Sequence, residues 1–258
     1  MTHPWFEGAS TPRVLAHRGL VTPEAARTGI VENSFAAVAA AHAAGGIYVE
    51  SDCHLTRDGA VVLFHDSDLR RVTGDPRRVD EVTLRDLELL MAPHGGLLTL
   101  ADALESFPDV RFNLDVKAAG AAEKVGREVA PHGARVLVTS FSDDRRRAAL
   151  NAAERAGGSI RPATSAGTST VTRLLGAVSV RSRALARRAL EGVDALQVPE
   201  RQRRLRIVTA RFVDYAHSAG AEVHVWTIND PADMRRLVAL GVDGIVTDRA
   251  DVALSALH

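Results

Sequence analysis

The 258-residue sequence predicts an α/β fold, most simply a (β/α)8 TIM barrel. Short β-rich runs alternate with Ala- and Leu-rich helical stretches along the chain, which is typical of a parallel α/β protein. Eight such strands are predicted in about 250 residues, the usual size of this barrel. A doubly wound open sheet is the alternative, but no Gly-x-Gly-x-x-Gly loop follows the first predicted strand.

The eight predicted strands have the length and the apolar composition of buried strands. They comprise residues 14–17, 47–52, 111–116, 135–140, 160–164, 195–198, 222–228 and 244–247. Helical patterns lie between most of them. One helix is predicted to begin at Thr99, where Thr99 and Asp102 form a weaker version of the capping box. For the last full unit, Asp230 is the predicted cap, Pro231 the first helical residue and Gly241 the C-terminal stop.

Residues 61–65 are also strand-like, but they interrupt the alternation. Only about eight residues separate them from Asp52, whereas a parallel return needs a crossover of a dozen or more. The Asp-Gly dipeptide at 58–59 is a strong hairpin turn signal. We therefore predict that this strand runs antiparallel to an extension of the second strand, and that residues 67–98 form an insertion after the hairpin. The whole chain, residues 1–258, is expected to be one domain.

Composition argues against several classes of protein. Apolar residues make up 46% and charged residues 25% of the chain, and the formal net charge is zero, whereas nucleic-acid binders usually carry a basic excess. Cys53 is the single cysteine, so neither an intrachain disulfide nor a thiolate zinc site can form. No segment approaches the ~20 apolar residues that span a bilayer, and residues 1–13 lack the apolar core of a signal peptide. We expect a cytoplasmic protein with no nucleic-acid partner and no stable membrane insertion; the oligomeric state stays open.

Residues 173–206 are unusually basic, with nine arginines against three acidic residues. A solvated face is the simplest interpretation. Contact with an anionic membrane surface is the alternative.

Three carboxylates lie near the C-terminal ends of two predicted strands, where the active sites of such barrels are found. Because strand side chains alternate, Glu50 and Asp52 project to one side, as do Asn113, Asp115 and Lys117. Packing three anions together is costly, since each raises the pKa of the others, and a hard divalent cation relieves that cost. We therefore predict that the three acids bind one divalent cation, Ca²⁺ or Mg²⁺, because both ions favour oxygen ligands.

Two histidines at strand ends, His17 and His65, suit acid–base catalysis. An imidazole has an unperturbed pKa of about 6.5, so one ring can be neutral while the other is protonated. Asp66 could support His65, but side chains of adjacent strand residues diverge, so it could instead bond to a backbone group.

Cationic and aromatic side chains near the same strand ends are candidates for substrate binding. Arg18 offers a fork of donors to phosphate oxygens, and Lys117 acts as a point charge. Trp226, near the end of its strand, is expected either to wall the substrate pocket or to belong to the core.

Together these clusters resemble the glycerophosphodiester phosphodiesterase family. The match runs through most of the chain, and the order and spacing of its parts are specific. The matching segments are HRG at 17–19, EN at 32–33, ESDCHLTRDG at 50–59, FHD at 64–66, NLDVK at 113–117, SF at 140–141, VWTIN at 225–229 and GVDGIVTD at 241–248.

The resemblance implies a (β/α)8 barrel in which His17 and His65 are the acid–base pair. It also implies that Glu50 and Asp52 bind the metal and that Arg18 and Lys117 contact the phosphate. The family's third metal carboxylate is usually the Glu of Glu-x-Lys. Asp115 stands at that position here and is shorter by one methylene. The family's Pro-Glu-Asn is Val-Glu-Asn at 31–33.

The implied activity is metal-dependent hydrolysis of glycerophosphodiesters to sn-glycerol 3-phosphate and an alcohol. Attack by the substrate's own glycerol hydroxyl, giving a cyclic phosphate, and direct attack by water are both compatible with these residues. A lysophospholipase D-like diesterase is one alternative. A barrel that binds phosphodiesters or a protein without catalysis is the alternative from another class.

Overall fold

The computed structural model describes residues 3–9 and 11–257. Its strands are β1 Arg13–His17, β2 Tyr48–Leu55, β3 Val61–Leu63, β4 Arg111–Val116, β5 Val136–Thr139, β6 Ala163–Thr164, β7 Ala195–Pro199, β8 Arg201–Gln202, β9 Leu205–Arg206, β10 Glu222–Trp226 and β11 Gly244–Thr247. Its helices are α1 Pro23–Arg27, α2 Phe35–Ala43, α3 Arg70–Thr73, α4 Leu84–Met91, α5 Leu100–Ser106, α6 Ala122–Val129, α7 Asp143–Arg155, α8 Thr168–Ser179, α9 Arg183–Ala189, α10 Ala210–Ser218, α11 Pro231–Ala239 and α12 Ala250–Leu257.

Eight parallel strands form the predicted barrel. Their order around the sheet is β6-β5-β4-β2-β1-β11-β10-β7. A parallel bridge between Ser165 and Ala195 joins β6 to β7, and the amide of Asp194 donates to the carbonyl of Thr164 at 2.9 Å. The ring is thereby completed, and the prediction of a TIM barrel is confirmed.

The predicted strands and helix ends agree closely with the structure, with one exception among the strands. β6 comprises Ala163–Thr164 instead of residues 160–164, because Pro162 has no N–H with which to extend the ladder. The hydroxyl of Thr99 accepts from the amide of Asp102 at the start of α5, as predicted. Asp230 caps α11 in the same way.

The hairpin and the insertion after it are also confirmed. β3 pairs antiparallel with the end of β2, with Cys53 opposite Leu63. The chain then forms α3 and α4, which enclose a small apolar cluster of their own. Its fully buried members include Leu69, Leu87 and Met91. The insertion therefore has its own packing and stands beside the carboxyl ends of the barrel strands.

The N-terminal end of the barrel is filled by the segment before β1. Trp5 is fully buried there, and its Nε1 donates to the carbonyl of Phe112 at 3.1 Å. The hydroxyl of Tyr48 donates to the carbonyl of Trp5 at 3.1 Å. Arg13 binds both carboxylate oxygens of Glu222 at 2.8 Å. This end of the barrel is closed, so a ligand enters from the opposite end.

Among the described residues, no helix is both long and apolar enough to cross a membrane.

Candidate active site

A cavity of about 570 Å³ opens at the carboxyl ends of the barrel strands. It collects all eight residues singled out from the sequence. They are His17, Arg18, Glu50, Asp52, His65, Asp115, Lys117 and Trp226. Residues from β1, β2, β4 and β10 and from the segment after β3 thus meet in one place, as parallel strand ends in a barrel require.

His17 ends β1 and is held by a carboxylate from the other end of the chain. Its Nδ1 lies 2.6 Å from Oδ1 of Asp248. Asn229 Nδ2 donates to the other oxygen of Asp248 at 2.7 Å. The hydrogen bond from His17 lowers the pKa of Asp248, which therefore stays ionised and keeps the proton on Nδ1. The Nε2 atom, 3.9 Å from Glu50 Oε2, is left facing the cavity.

Asp248 received no role from the sequence. It lies within the GVDGIVTD segment, so a motif marked its position without revealing its partner.

His65 has a similar arrangement with its neighbour. Its Nδ1 lies 2.6 Å from Oδ1 of Asp66. The expectation that adjacent side chains diverge is wrong here, because β3 ends at Leu63 and both residues lie in a bend beyond it. Although burial would raise the pKa of Asp66, hydrogen bonds from Arg71 and His65 lower it. His65, like His17, thus presents Nε2 as its free ring nitrogen.

The three carboxylates lie on adjacent strands. Asp52 on β2 is directly opposite Asp115 on β4, and Glu50 is opposite Asn113. Burial and then the charges of Asp52 and Asp115 raise the pKa of Glu50 well above its usual value. Burial also raises the pKa of Asp115, although Lys117 opposes this effect. The raised pKa values show that ionising all three carboxylates so close together is electrostatically unfavourable.

Lys117 partly offsets that cost. Its Nζ lies 3.0 Å from Asp52 Oδ1 and 2.7 Å from Asp115 Oδ2. Burial alone would lower the pKa of Lys117, but Asp52 and Asp115 raise it. An ammonium group therefore lies between two of the predicted metal ligands.

The donor atoms suit a hard cation, although they are not arranged around one. Within residues 3–9 and 11–257, no group of three or more His, Cys, Asp or Glu side chains has a geometry that could hold a metal ion. Two carboxylate oxygens, Glu50 Oε2 and Asp115 Oδ1, are nevertheless buried without a hydrogen-bond partner. Unpaired buried oxygens of this kind are what Ca²⁺ or Mg²⁺ would satisfy. The metal site therefore stays a prediction, and the chemistry of the donor atoms is consistent with it.

Arg18 lies at the edge of the carboxylate cluster. Its Nη1 donates to Glu32 Oε1 at 2.8 Å, and its Nε lies 3.3 Å from Asp52 Oδ2. The next residue, Gly19, has φ +87°, and a Cβ there would come within 2.6 Å of the Ala37 backbone. Glycine is needed at this turn to bring Arg18 over the cavity.

One wall of the cavity is apolar, and sequence reasoning identified only Trp226 in it. The ring of Phe141 stands edge-on to Trp226, with the centroids 6.1 Å apart. α8, β9 and the residue after β9 contribute four further apolar side chains to the cavity lining. These residues are Val171, Leu175, Leu205 and Ile207. Isolated apolar residues on a helix and a short hairpin carry no motif, so no sequence signal distinguished them from core residues.

Comparisons with known proteins identify the family. The model of the glycerophosphoryl diester phosphodiesterase family matches residues 17–252. The Mycobacterium tuberculosis protein named Probable glycerophosphodiester phosphodiesterase 2 is 37% identical over 97% of this chain and 95% of its own length.

Solved structures show the same architecture. A glycerophosphodiester phosphodiesterase from Thermotoga maritima superposes with a TM-score of 0.69 at 25% identity, covering 94% of this chain and 96% of that one. A phosphodiesterase from Oleispira antarctica, solved in complex with the product sn-glycerol-3-phosphate, superposes with a TM-score of 0.72 at 23% identity, covering 96% and 97%. The chain belongs to the glycerophosphoryl diester phosphodiesterase family, a family of phosphoric diester hydrolases.

Proposed function

We propose that this protein hydrolyses glycerophosphodiesters to sn-glycerol 3-phosphate and an alcohol, with His17 and His65 as its acid–base pair and one divalent cation as cofactor. The observation that carries the proposal is the meeting of two aspartate-bound histidines, His17 and His65, and three buried carboxylates in one cavity. The glycerol-phosphate complex of the Oleispira antarctica relative supports the substrate class.

The two imidazoles divide the proton transfers. One ring, through Nε2, takes the proton of the attacking hydroxyl, and the other protonates the departing alcohol oxygen. Asp248 and Asp66 keep the Nδ1 atoms protonated, so the free Nε2 atoms carry the transferred protons. Without these carboxylates either ring could adopt the other tautomer, with its proton at the wrong nitrogen.

The remaining polar side chains handle the negative charge of the phosphodiester. Arg18 and Lys117 line the cavity and would donate to the phosphate oxygens. Glu50, Asp52 and Asp115 would hold the cation. When bound, Ca²⁺ or Mg²⁺ supplies a Lewis acid that neutralises charge developing on those oxygens.

Replacing either imidazole tests this assignment. His17→Ala and His65→Ala should each lower kcat for glycerophosphocholine by about 10²–10⁴-fold, the usual contribution of a positioned acid or base. His217→Ala is the matched control, because His217 is a partly exposed histidine that pairs with Asp243 away from the cavity. Activity of His17→Ala or His65→Ala within tenfold of the parent would show that the acid–base roles are wrong.

Lysophospholipids are the second candidate substrate, favoured by the apolar wall formed by Val171, Leu175, Leu205 and Ile207. The acyl chain on the glycerol of a lysophospholipid could lie against this wall, whereas the unacylated glycerol of a glycerophosphodiester has no need of it.

A substrate panel run after chelation and re-addition of Ca²⁺ or Mg²⁺ separates these possibilities. We expect turnover to be lost on chelation and to return with one of the two ions. Higher kcat/KM for glycerophosphocholine than for its lysophospholipid identifies the proposed activity, and the reverse order identifies the second candidate. No turnover of any diester at any metal concentration would indicate a barrel that only binds.

A further inference from the structure

We propose that the mouth of the cavity docks onto an anionic phospholipid bilayer through the hairpin formed by β8 and β9. This segment, residues 200–207, is called the arginine hairpin below. It follows β7 directly, so it stands at the carboxyl end of the barrel, beside the cavity opening.

Two side chains of the arginine hairpin form part of the opening itself. Gln202 and Leu205 both line the cavity. Leu205 is nevertheless 58% exposed, and Phe141, another lining residue, is 59% exposed. Two large apolar side chains therefore project into solvent at the rim of a site that is proposed to bind phosphodiesters. Exposed apolar groups at a rim are typical of surfaces that bind a partner or a membrane.

The charge of the arginine hairpin is strongly positive. It has four arginines against one glutamate, in a chain whose net charge is zero. Glu200 is already bound by Arg206 at 3.2 Å and by Arg236 at 2.8 Å. Among the described residues the other three arginines of the hairpin make no ion pair. These are Arg201, Arg203 and Arg204, all of them exposed.

The other arginines of residues 173–206 lie outside the arginine hairpin. Arg183 pairs with Asp214 at 2.6 Å, and Arg187 donates to the carbonyl of Ser218 at 3.2 Å. Both contacts fasten α9 to the side of α10. Arg201, Arg203 and Arg204 therefore stand at the cavity mouth. The remaining arginines, Arg173, Arg181 and Arg188, form no ion pair among the described residues and lie on α8, just after it and on α9.

A lipid surface fits this combination better than a nucleic acid does. Guanidinium groups bind lipid phosphates, while an apolar side chain between them can enter the interfacial region. Leu205 is exposed at the cavity rim and is flanked in sequence by Arg204 and Arg206. Single-stranded nucleic acids are usually held by stacking aromatic side chains in addition to cations, and residues 200–207 contain no aromatic residue. The zero net charge of the chain also disfavours a general polyanion binder.

Vesicle binding by the full-length chain tests the proposal. We would compare vesicles of phosphatidylcholine alone with vesicles containing about 30% phosphatidylglycerol, at about 0.05 M and 0.5 M NaCl. The expected result is binding to the anionic vesicles that weakens at high salt. The variant Arg203→Gly/Arg204→Gln should bind them about 30-fold more weakly, because each arginine near such a surface contributes roughly fivefold.

This variant was chosen to preserve the fold and the cavity. Arg203 has φ 53°, a conformation that glycine adopts readily, so Arg203→Gly does not strain the turn. Neither Arg203 nor Arg204 lines the cavity. The control Arg155→Gln/Arg188→Gln removes the same charge from exposed residues near the C-terminal ends of α7 and α9, neither of which lines the cavity, and should bind as the parent does.

The proposal is overturned if the parent does not bind anionic vesicles, or if the hairpin and control variants bind them equally. Binding to a polynucleotide but not to vesicles would overturn it as well. Hydrolysis of water-soluble glycerophosphocholine is measured separately and should be the same in the parent and both variants. Loss of the proposed function and loss of docking are therefore distinguishable.

Discussion

Each proposed catalytic imidazole has an aspartate bound to its Nδ1, at 2.6 Å in both cases. The partners come from different parts of the chain, since Asp66 is adjacent to its histidine and Asp248 is 231 residues away. Both aspartates have other hydrogen-bond donors, Arg71 for Asp66 and Asn229 for Asp248. The ring orientations are thus determined by two layers of contacts, as is usual for residues that transfer protons at a defined atom.

We predict that Asp248→Asn lowers kcat by about 10²-fold and changes KM little, because Asp248 positions His17 and does not bind substrate. Steady-state kinetics on glycerophosphocholine measures both constants. Asp251→Asn is the matched control, since it removes a partly exposed carboxylate that forms an ion pair with Arg249 outside the cavity. A kcat within threefold of the parent would exclude a positioning role for Asp248.

At the scale of secondary-structure elements, the insertion is tied to the active site through α3. Arg71 of α3 donates to Asp66 Oδ2 and to Glu32 Oε1, both at 2.6 Å. Glu32 also accepts from Arg18 at 2.8 Å. Although burial would raise the pKa of Glu32, hydrogen bonds from Arg71 and Arg18 lower it. Three elements are joined in this way: the loop after β1, the segment after β3 and the insertion.

We expect Arg71→Ala to lower kcat/KM about tenfold while it changes the thermal midpoint of unfolding by only a few degrees. Arg71 is half exposed, and exposed ion pairs contribute about 0–1 kcal/mol to stability, but its loss frees both Asp66 and Glu32 to move. Arg77→Ala, in the same insertion, breaks only the pair with Asp75 and should retain full activity. Equal kinetics for the two variants would mean that α3 does not position the site.

At the scale of the whole molecule, partly buried ionic contacts fasten β1 to β10 at the closed end of the barrel. Glu222 of β10 binds Arg13 of β1 at 2.8 Å and His224 at 3.0 Å. This contact spans β11, which lies between those strands. Burial alone would raise the pKa of Glu222, but hydrogen bonds from Arg13 and His224 lower it to about 2.

The lowered pKa predicts how stability changes with pH. The folded-state pKa of Glu222 lies below its unfolded value of about 4.5, so its contribution is complete above that value and is lost as the pH falls toward 2. After allowance for partial exposure, we expect the ionised Glu222 side chain to contribute about 2 kcal/mol to the free energy of unfolding. The difference in unfolding free energy between the parent and Glu222→Gln should shrink by more than half of that amount between pH 7 and about 3, and the remainder is lost toward pH 2, as measured by urea denaturation.

Glu123→Gln is the control, because Glu123 forms exposed pairs with Arg127 and Arg155, and these contribute little to stability. A parent–Glu222→Gln difference that stays constant with pH would contradict the assignment of Glu222.

Much of this fold is determined by local pattern. Alternation along a strand decides which side chains share a face, so the facing of Glu50 and Asp52 and the course of the β2–β3 hairpin could be read from neighbouring residues. Strand ends of a barrel converge by topology, which is why residues predicted separately line one cavity. These features depend on separations of a few residues and on one architectural rule.

The sequence by itself therefore determined the barrel, the insertion and the eight predicted residues that line the cavity. Only the tertiary structure decided the pairing of His17 with Asp248, the position of Lys117 between Asp52 and Asp115, the filling of the closed end by Trp5 and the apolar wall at the mouth. Those contacts form only when the barrel closes and when packing selects the side-chain rotamers. Sequence periodicity predicts neither of these, so the contacts could not be predicted from the sequence.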